Sequence, residues 1–438
     1  MGAETDDVGL DARKYFILTS AGKPVWSTEE DCDDKEGGDT TGLMGLMQAI
    51  ISIFEDDGDE LRYIDSGAVK IAVMLKPPLF LLAVSNWGEP ESILRLHLEY
   101  LYLLIQSIVS LSQLHKLFER RQNYDLRRTL TGTESIFRGL VNKLQWDFSI
   151  MMSGLEVFSC ARATRNTISR ILNLEEVARK LLYSIVLIHG KVACLVRPKN
   201  HSVHPSDLQL IITTVLSSSS LQNSESWVPI CLPGYNSTGF LHAYITFFPS
   251  PDSHIGLLFV SGDRNGFFGL KKWAEQIAEH PVWQDVGSQA AGSELNDLKA
   301  SLSSDSGGGY SLEQVGIPSL RHFVYKHKTH VQVTSPIWED DYLNMENRRR
   351  LVTTYQRAYD LMHPKLSRIK DDPRAPMTFL YLRNEGEGII AWNTVSHELY
   401  MAVSPMMSKA AAVSAAHSVV KWIKSQEDSL FLTSAPAF

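Results

Sequence analysis

One pattern recurs three times along the chain. Two short β-rich runs flank a tight turn; a helix follows, then three more β-rich runs, then a closing helix. Internal repetition of this kind fixes the architecture, because each copy is one supersecondary unit. The first copy opens with Lys14–Trp26 around a Ser-Ala-Gly-Lys turn, the second with Tyr183–Val196 around His-Gly-Lys. The third opens with His322–Val333 around a poorer turn. Alternating β-branched and aromatic residues predict a hairpin in each case, about a glycine turn in the first two copies.

The remaining elements follow in the same order. In the first copy an acidic loop (Glu29 to Asp39) precedes a helix over Thr41–Phe54, strands at Leu61–Ile64, Ala68–Leu75 and Phe80–Val84, and a long helix over Pro90–Phe118. The second copy predicts a helix at Leu208–Leu216, announced by His204-Pro-Ser-Asp. Strands at Trp227–Leu232, Gly239–Phe248 and Ile255–Ser261 and a helix at Phe267–Glu279 complete it. The third predicts a helix at Asn347–Met362, strands at Met377–Arg383, Gly388–Trp392 and Glu398–Val403, and a last helix at Ser408–Ser425. A hairpin, a crossover helix and a meander give an α/β fold: ββαβββα, a five-stranded, mostly antiparallel sheet flanked by helices. Extra helical material is expected between the first two copies, and Ser303–Gly309 marks a linker.

The chain's 438 residues exceed what one hydrophobic core supports and suit three domains. A formal charge of −8 argues against a nucleic-acid partner. Cys32, Cys160, Cys194 and Cys231 show no paired spacing, so neither a disulfide framework nor a cysteine zinc site is expected. The apolar stretch Ile93–Leu111 is interrupted by Arg95, His97, Glu99 and Gln106. A charge at a bilayer centre costs ~2.5–3.5 kcal/mol, so this stretch reads as a buried helix in a soluble protein.

The inventory of reacting groups is empty. No phosphate loop, dinucleotide fingerprint, HExxH or nucleophile elbow occurs. No cofactor is expected. Glu55–Glu60 lacks the alternating ligands of a calcium loop and reads as a solvated turn. Of His322, His327 and His330, period-2 alternation places the last two on opposite faces of a hairpin with no supporting carboxylate, so no metal site is expected there.

Two surfaces ask for partners. On the Thr41–Phe54 helix, Leu43, Leu46, Met47, Ile50, Ile53 and Phe54 form a stripe that suits the sheet. Met44 and Ile51 lie beside it, and Gly45, Gln48 and Ser52 form an uncharged back where a solvated helix would carry Lys and Glu. Burial under the following helical segment is the structural alternative. Separately, Arg348, Arg349 and Arg350 open the third crossover helix, a basic cluster of the kind anionic lipid attracts. Solvation, or pairing with Glu346 and Asp360, explains the cluster equally well.

Specific runs carry a resemblance. Lys14–Trp26, Leu43-Met-Gly-Leu-Met-Gln-Ala-Ile50, Pro78–Ser85, Glu99-Tyr-Leu-Tyr102 and above all Arg121-Gln-Asn-Tyr-Asp-Leu-Arg-Arg-Thr-Leu-Thr-Gly-Thr-Glu134 resemble the Mon-one vacuolar-fusion family, in its fungal form. The likeness spans the chain in order and is strongest in the first copy. It implies three longin domains at 14–125, 176–284 and 320–438. A flexible N-terminus (1–13), a helical connector (126–175) and a linker (285–319) would complete the chain. Members often carry a long disordered N-terminal region, so this chain is expected to be a trimmed form.

The resemblance also implies a function. Mon-one pairs with Ccz-one, another tri-longin protein, and the two exchange guanine nucleotide on a Rab-seven-type GTPase at late endosomes and vacuoles. They thereby promote endosome maturation, vacuole fusion and autophagosome fusion. An upstream endosomal Rab, phosphoinositides or other anionic lipids, and a third regulatory subunit are further implied partners, with recruitment from cytosol to the membrane periphery. Exchange needs no acid, base or nucleophile, in keeping with the empty inventory. By analogy the Rab- or partner-binding face on this side is expected at Met44, Gln48, Ile51, Ser52 and Glu55, with Arg348–Arg350 as a lipid contact. The alternatives are a tri-longin trafficking scaffold without exchange activity, such as a lysosome-biogenesis or planar-polarity relative, and a hydrolase whose triad assembles only in space.

Overall fold

The computed structural model describes residues 13–29, 37–121, 123–173, 181–198, 204–248, 255–280, 309–364 and 377–433. The expected N-terminal tail up to residue 12, most of the acidic loop with Cys32, and residues 285–308 of the expected linker lie outside them, whereas Arg13, expected in the flexible tail, is buried. Contacts divide the chain into two compact units that cut across the repeats. The first comprises residues 1–105, 111–138 and 340–376, the second the remainder.

In the first unit, β1 (Lys14–Thr19) and β2 (Pro24–Ser27) form the hairpin, followed by α1 (Gly37–Asp56), β3 (Tyr63–Asp65), β4 (Lys70–Lys76) and β5 (Leu79–Ser85). The sheet order is β2-β1-β5-β4-β3, antiparallel throughout. Gly22 closes the hairpin at φ +76°, a conformation that costs glycine little. Strand alternation sends Phe16 and Leu18 to one face, where they pack with Val73, Phe80, Leu82 and the inner side of α1. Tyr15 points the other way, and its hydroxyl meets His97 Nδ1 at 2.8 Å.

The single closing helix expected over Pro90–Phe118 is two helices, α2 (Glu91–Ile108) and α3 (Leu111–Arg120), bent by 80°. A straight helix of that length would run about 43 Å, nearly twice the ~23 Å of a seven-residue strand, and would overshoot the sheet it covers. Among the described residues no single helix is long and apolar enough to cross a membrane.

The same unit holds the crossover helix of the third repeat, Met345–Met362. Asn344 caps it, its Oδ1 accepting from the amide of Glu346 at 2.9 Å. Gln356 Oε1 accepts from Arg13 at 2.9 Å, Ser92 Oγ donates to Asp360 at 2.6 Å, and Arg357 Nε donates to the Gly88 carbonyl at 2.8 Å. Such long-range polar pairing leaves no trace in local periodicity.

The second unit contains β6 (Leu155–Glu156) and then the second repeat's sheet. Its strands are β7 (Tyr183–Ile188), β8 (Lys191–Val196), β9 (Ser226–Leu232), β10 (Ser237–Phe247) and β11 (Ile255–Ser261), in the order β8-β7-β11-β10-β9. His189 and Gly190 form its two-residue turn at φ +48° and +76°, as a mirror-image hairpin turn requires. Apolar clusters fill both faces of this sheet. One includes Phe259, Trp273 and Ile168; the other includes Ile185, Leu208 and Val260.

The third sheet uses β12 (Leu320–His327), β13 (Gln332–Thr334), β14 (Phe379–Arg383), β15 (Gly388–Asn393) and β16 (His397–Val403). Its order is β14-β15-β16-β12-β13-β6, so it has six strands where five were expected. The sixth comes from the segment read as wholly helical: β6 pairs parallel to β13 and covers an edge only three residues long.

The expected separation of His327 from His330 does not hold either. β12 ends at His327, so strand alternation stops there, and the two rings lie 4.3 Å apart between centroids.

Candidate partner-binding face on the first repeat

Helix α1 has two apolar stripes, and only one can meet the sheet. Met47 and Ile51 lie on the inner stripe with Met44, packed against Phe16, Leu18, Leu61 and Val73. Ile51 is wholly buried and Met44 is 8% exposed, so neither belongs to the outer face where they were expected. Gln48 and Ser52 flank that stripe, half-buried. Gln48 Nε2 donates to the Ser20 carbonyl at 3.0 Å, bracing the hairpin turn, and Ser52 Oγ donates back to the Gln48 carbonyl at 3.0 Å. Of the five residues, only Glu55 stands fully in solvent.

The outward stripe is Leu46, Ala49 and Ile53, with Gly42, Gly45 and Phe54 alongside. Leu46 is 58% exposed, Ile53 62% and Phe54 37%. Spacing of three and four places these side chains on one helical surface. Among the described residues these side chains remain exposed. Sequence periodicity missed this face because α1 is apolar nearly all round.

At the C-terminal end of α1 the surface turns acidic. Glu55, Asp56, Asp57, Asp59 and Glu60 are all exposed, and the last turn carries no basic residue. Carboxylates at a helix C-terminus oppose the macrodipole, typically by about 0.3–1 kcal/mol each. The face is therefore apolar, small along one side, and bounded by negative charge.

The run Arg121–Glu134 folds as a brace beside the same hairpin. Lys23 Nζ donates to the Asn123 carbonyl at 2.9 Å, Tyr124 and Thr129 hydroxyls meet at 2.9 Å, and Glu134 Oε1 accepts from the Gly132 amide at 3.1 Å. Trp26 of β2 stacks on Phe137, with centroids 4.9 Å apart.

The basic cluster divides. Arg348 is half-buried, donating from Nε to the Tyr342 carbonyl at 3.0 Å, and burial lowers its pKa from the usual value. Arg349 lies over Trp87 at 4.9 Å, and with Arg350, Arg357, Thr353 and Glu346 it lines an open cleft of about 330 Å³. Leu343 and Met345, just before these arginines, are exposed.

Comparison with known proteins fits this architecture. The family models for the first, second and third Longin domains of FUZ, MON1 and HPS1 match residues 13–140, 179–279 and 319–427. The chain is 41% identical over 436 residues to Vacuolar fusion protein MON1 of Cryptococcus neoformans var. neoformans serotype D (strain JEC21), covering 99% of this chain and 67% of that protein. It is 36% identical over 426 residues to Vacuolar fusion protein MON1 homolog A of Macaca fascicularis, covering 97% and 72%. Vacuolar fusion protein MON1 of Yarrowia lipolytica is 34% identical over 442 residues, covering 100% and 77%. With three longin domains in order and this identity over nearly its whole length, the chain belongs to the MON1 family of vacuolar fusion proteins.

Proposed function

We propose that this chain is one subunit of a heterodimeric guanine-nucleotide exchange factor acting in vacuole fusion, and that α1 presents its partner-binding face. The observation that carries the reading is the exposed Leu46–Ala49–Ile53 stripe. A solvated helix would carry lysine and glutamate there, whereas an interface core is depleted of charge. The partner is a second tri-longin protein of the Ccz-one kind, and the client a Rab-seven-type GTPase.

Such a subunit accelerates GDP release by binding the nucleotide-free GTPase more tightly than the loaded one, so binding energy replaces bond chemistry. An apolar patch with an acidic border suits this task. The patch supplies desolvation, and the carboxylates favour a partner surface carrying lysine or arginine.

The test is release of a fluorescent GDP analogue from a Rab-seven-type GTPase. Acceleration by the heterodimer, with none from this chain alone and none on an unrelated Rab, supports the proposal. A well-formed heterodimer that leaves release unchanged moves the reading to a tri-longin scaffold.

Recruitment to late-endosomal or vacuolar membrane is the second element of the proposal. Arg349, Arg350 and Arg357 beside exposed Leu343 and Met345 combine positive charge with apolar tips, as interfacial contacts do. Replacing Arg349 and Arg350 by glutamate is expected to lower sedimentation with phosphoinositide-containing liposomes. Unchanged sedimentation removes this element.

A further inference from the structure

We propose that His327, His330 and Glu427 form a divalent-metal site of the zinc type, stapling the turn after β12 to the segment after the last long helix. The two halves come from places about a hundred residues apart in the chain. After His327 the chain turns through 328–331, with Val331 at φ +50°. The His330 amide donates to His327 Nδ1 at 3.3 Å, which brings the second ring over the first, tilted by 33°. Glu427 opens a short helical turn, Glu427–Leu430, directly after the Lys409–Ser425 helix. Its Oε1 lies 3.3 Å from His327 Nε2.

These distances fit a small tetrahedral ion. Bonds of ~2.0–2.1 Å separate two ligand atoms by about 3.3 Å, the spacing already present between His327 and Glu427. One ligand atom from each of the three residues lies within 4.8 Å of the others, so His330 closes the set by a modest swing of a partly exposed ring. The amide contact to His327 Nδ1 is long and yields when Nε2 takes the metal and Nδ1 carries the proton. A cleft of about 380 Å³ lined by His330, Lys424, Glu427 and Asp428 gives access and leaves room for a water as fourth ligand.

Donor chemistry selects the class of ion. Two imidazoles with one carboxylate suit zinc and its neighbours; calcium and magnesium demand oxygen. Nearby cations are partly answered: Arg162 pairs with Asp428 and Lys328 with Glu398. Lys424 adds repulsion, which sets the affinity below that of a closed four-ligand site.

The experiment uses the full chain carrying Cys32→Ser, because Cys32 sits among acidic residues while Cys160, Cys194 and Cys231 are buried. Zinc is titrated against a chromophoric chelator, and cobalt(II) is added separately as a spectroscopic probe. The expected result is one saturable site of micromolar affinity, with a tetrahedral cobalt spectrum lacking a thiolate charge-transfer band. His330→Ala and Glu427→Gln, both at solvent-accessible positions, should each weaken zinc about tenfold or more, since loss even of an outer-shell partner typically costs about 10–100-fold. Zinc should raise the melting temperature of the parent and not of either variant. Absence of saturable binding, or equal affinity in parent and both variants, overturns the proposal.

Discussion

Arg13 donates from Nε to Oε1 of Glu89 at 2.6 Å, with both side chains fully out of solvent. The same guanidinium lies 4.0 Å above the Trp87 ring and reaches Gln356 on the third repeat's helix. An ion pair this deep offers little net gain over a hydrophobic pair, but half of it is costly to leave behind. Glu89→Ala is therefore expected to destabilise the chain by about 3–5 kcal/mol, measured by urea denaturation. Arg13→Met combined with Glu89→Leu should recover most of the loss. A single variant as stable as the parent would contradict this account of the first unit.

Arg165 in the second unit is buried without a carboxylate. It donates to five carbonyls instead: Ala193, Asp428, Phe431, Phe158 and Ser429, at 2.8–3.2 Å. Three of those acceptors belong to the C-terminal segment. Lysine has too few donors, in the wrong geometry, to replace them. Arg165→Lys should raise amide exchange across 428–432 by an order of magnitude or more, roughly the loss of one or two charged hydrogen bonds. Unchanged exchange there would show that other contacts hold the segment.

Acid should loosen the second unit. Burial first, then Lys424, His327 and Lys328, push the His397 pKa down from 6.5 to about 4. Between those values the unfolded chain binds the proton and the folded chain does not, so stability rises with pH and is lost as pH falls from 6.5 toward 4. Denaturation midpoints measured across that window should drop by an amount that His397→Gln reduces. A midpoint flat in the parent would rule out His397 as a contributor.

Element order was legible from residue types alone, because alternating runs mark the strands in every copy, turn chemistry marks the first two hairpins, and a start signal marks the second crossover helix. Gly22, His189-Gly190 and His204-Pro205 are local instructions that tertiary context did not override. The longin character, read from the Arg121–Glu134 run and its companions, holds in all three repeats. What local pattern could not supply was choice between equivalents. Helix α1 offered two apolar stripes, and the inward one is the stripe of Met44, Met47 and Ile51 that packs on Phe16, Leu18 and Val73, residues distant in sequence. Likewise β6 is two residues long, too short for periodicity to register, and exists because β13 needed an edge partner. The His327–His330 pairing escaped for a related reason: strand alternation was extended one turn past the end of the strand.

The two stripes of α1 separate stability from association. Ile51→Asp places a carboxylate in the core and should cost several kcal/mol, abolishing the folded first unit. Leu46→Asp and Ile53→Asp sit in solvent and should leave the melting temperature within a few degrees of the parent. Circular dichroism melts of the three variants make the comparison, and comparable losses in all three would place the outer stripe in the core.

The proposed partner-binding role of the outer face of α1 can be tested at Leu46 and Ile53. The most direct measurement is the rate of GDP release from a Rab-seven-type GTPase by the heterodimer carrying Leu46→Asp and Ile53→Asp, beside an equal amount of parent complex. Release should be slowed at least tenfold, either because the heterodimer no longer assembles or because the GTPase no longer docks, while the variant chain remains folded. Release at the parental rate from a fully assembled variant complex would contradict it.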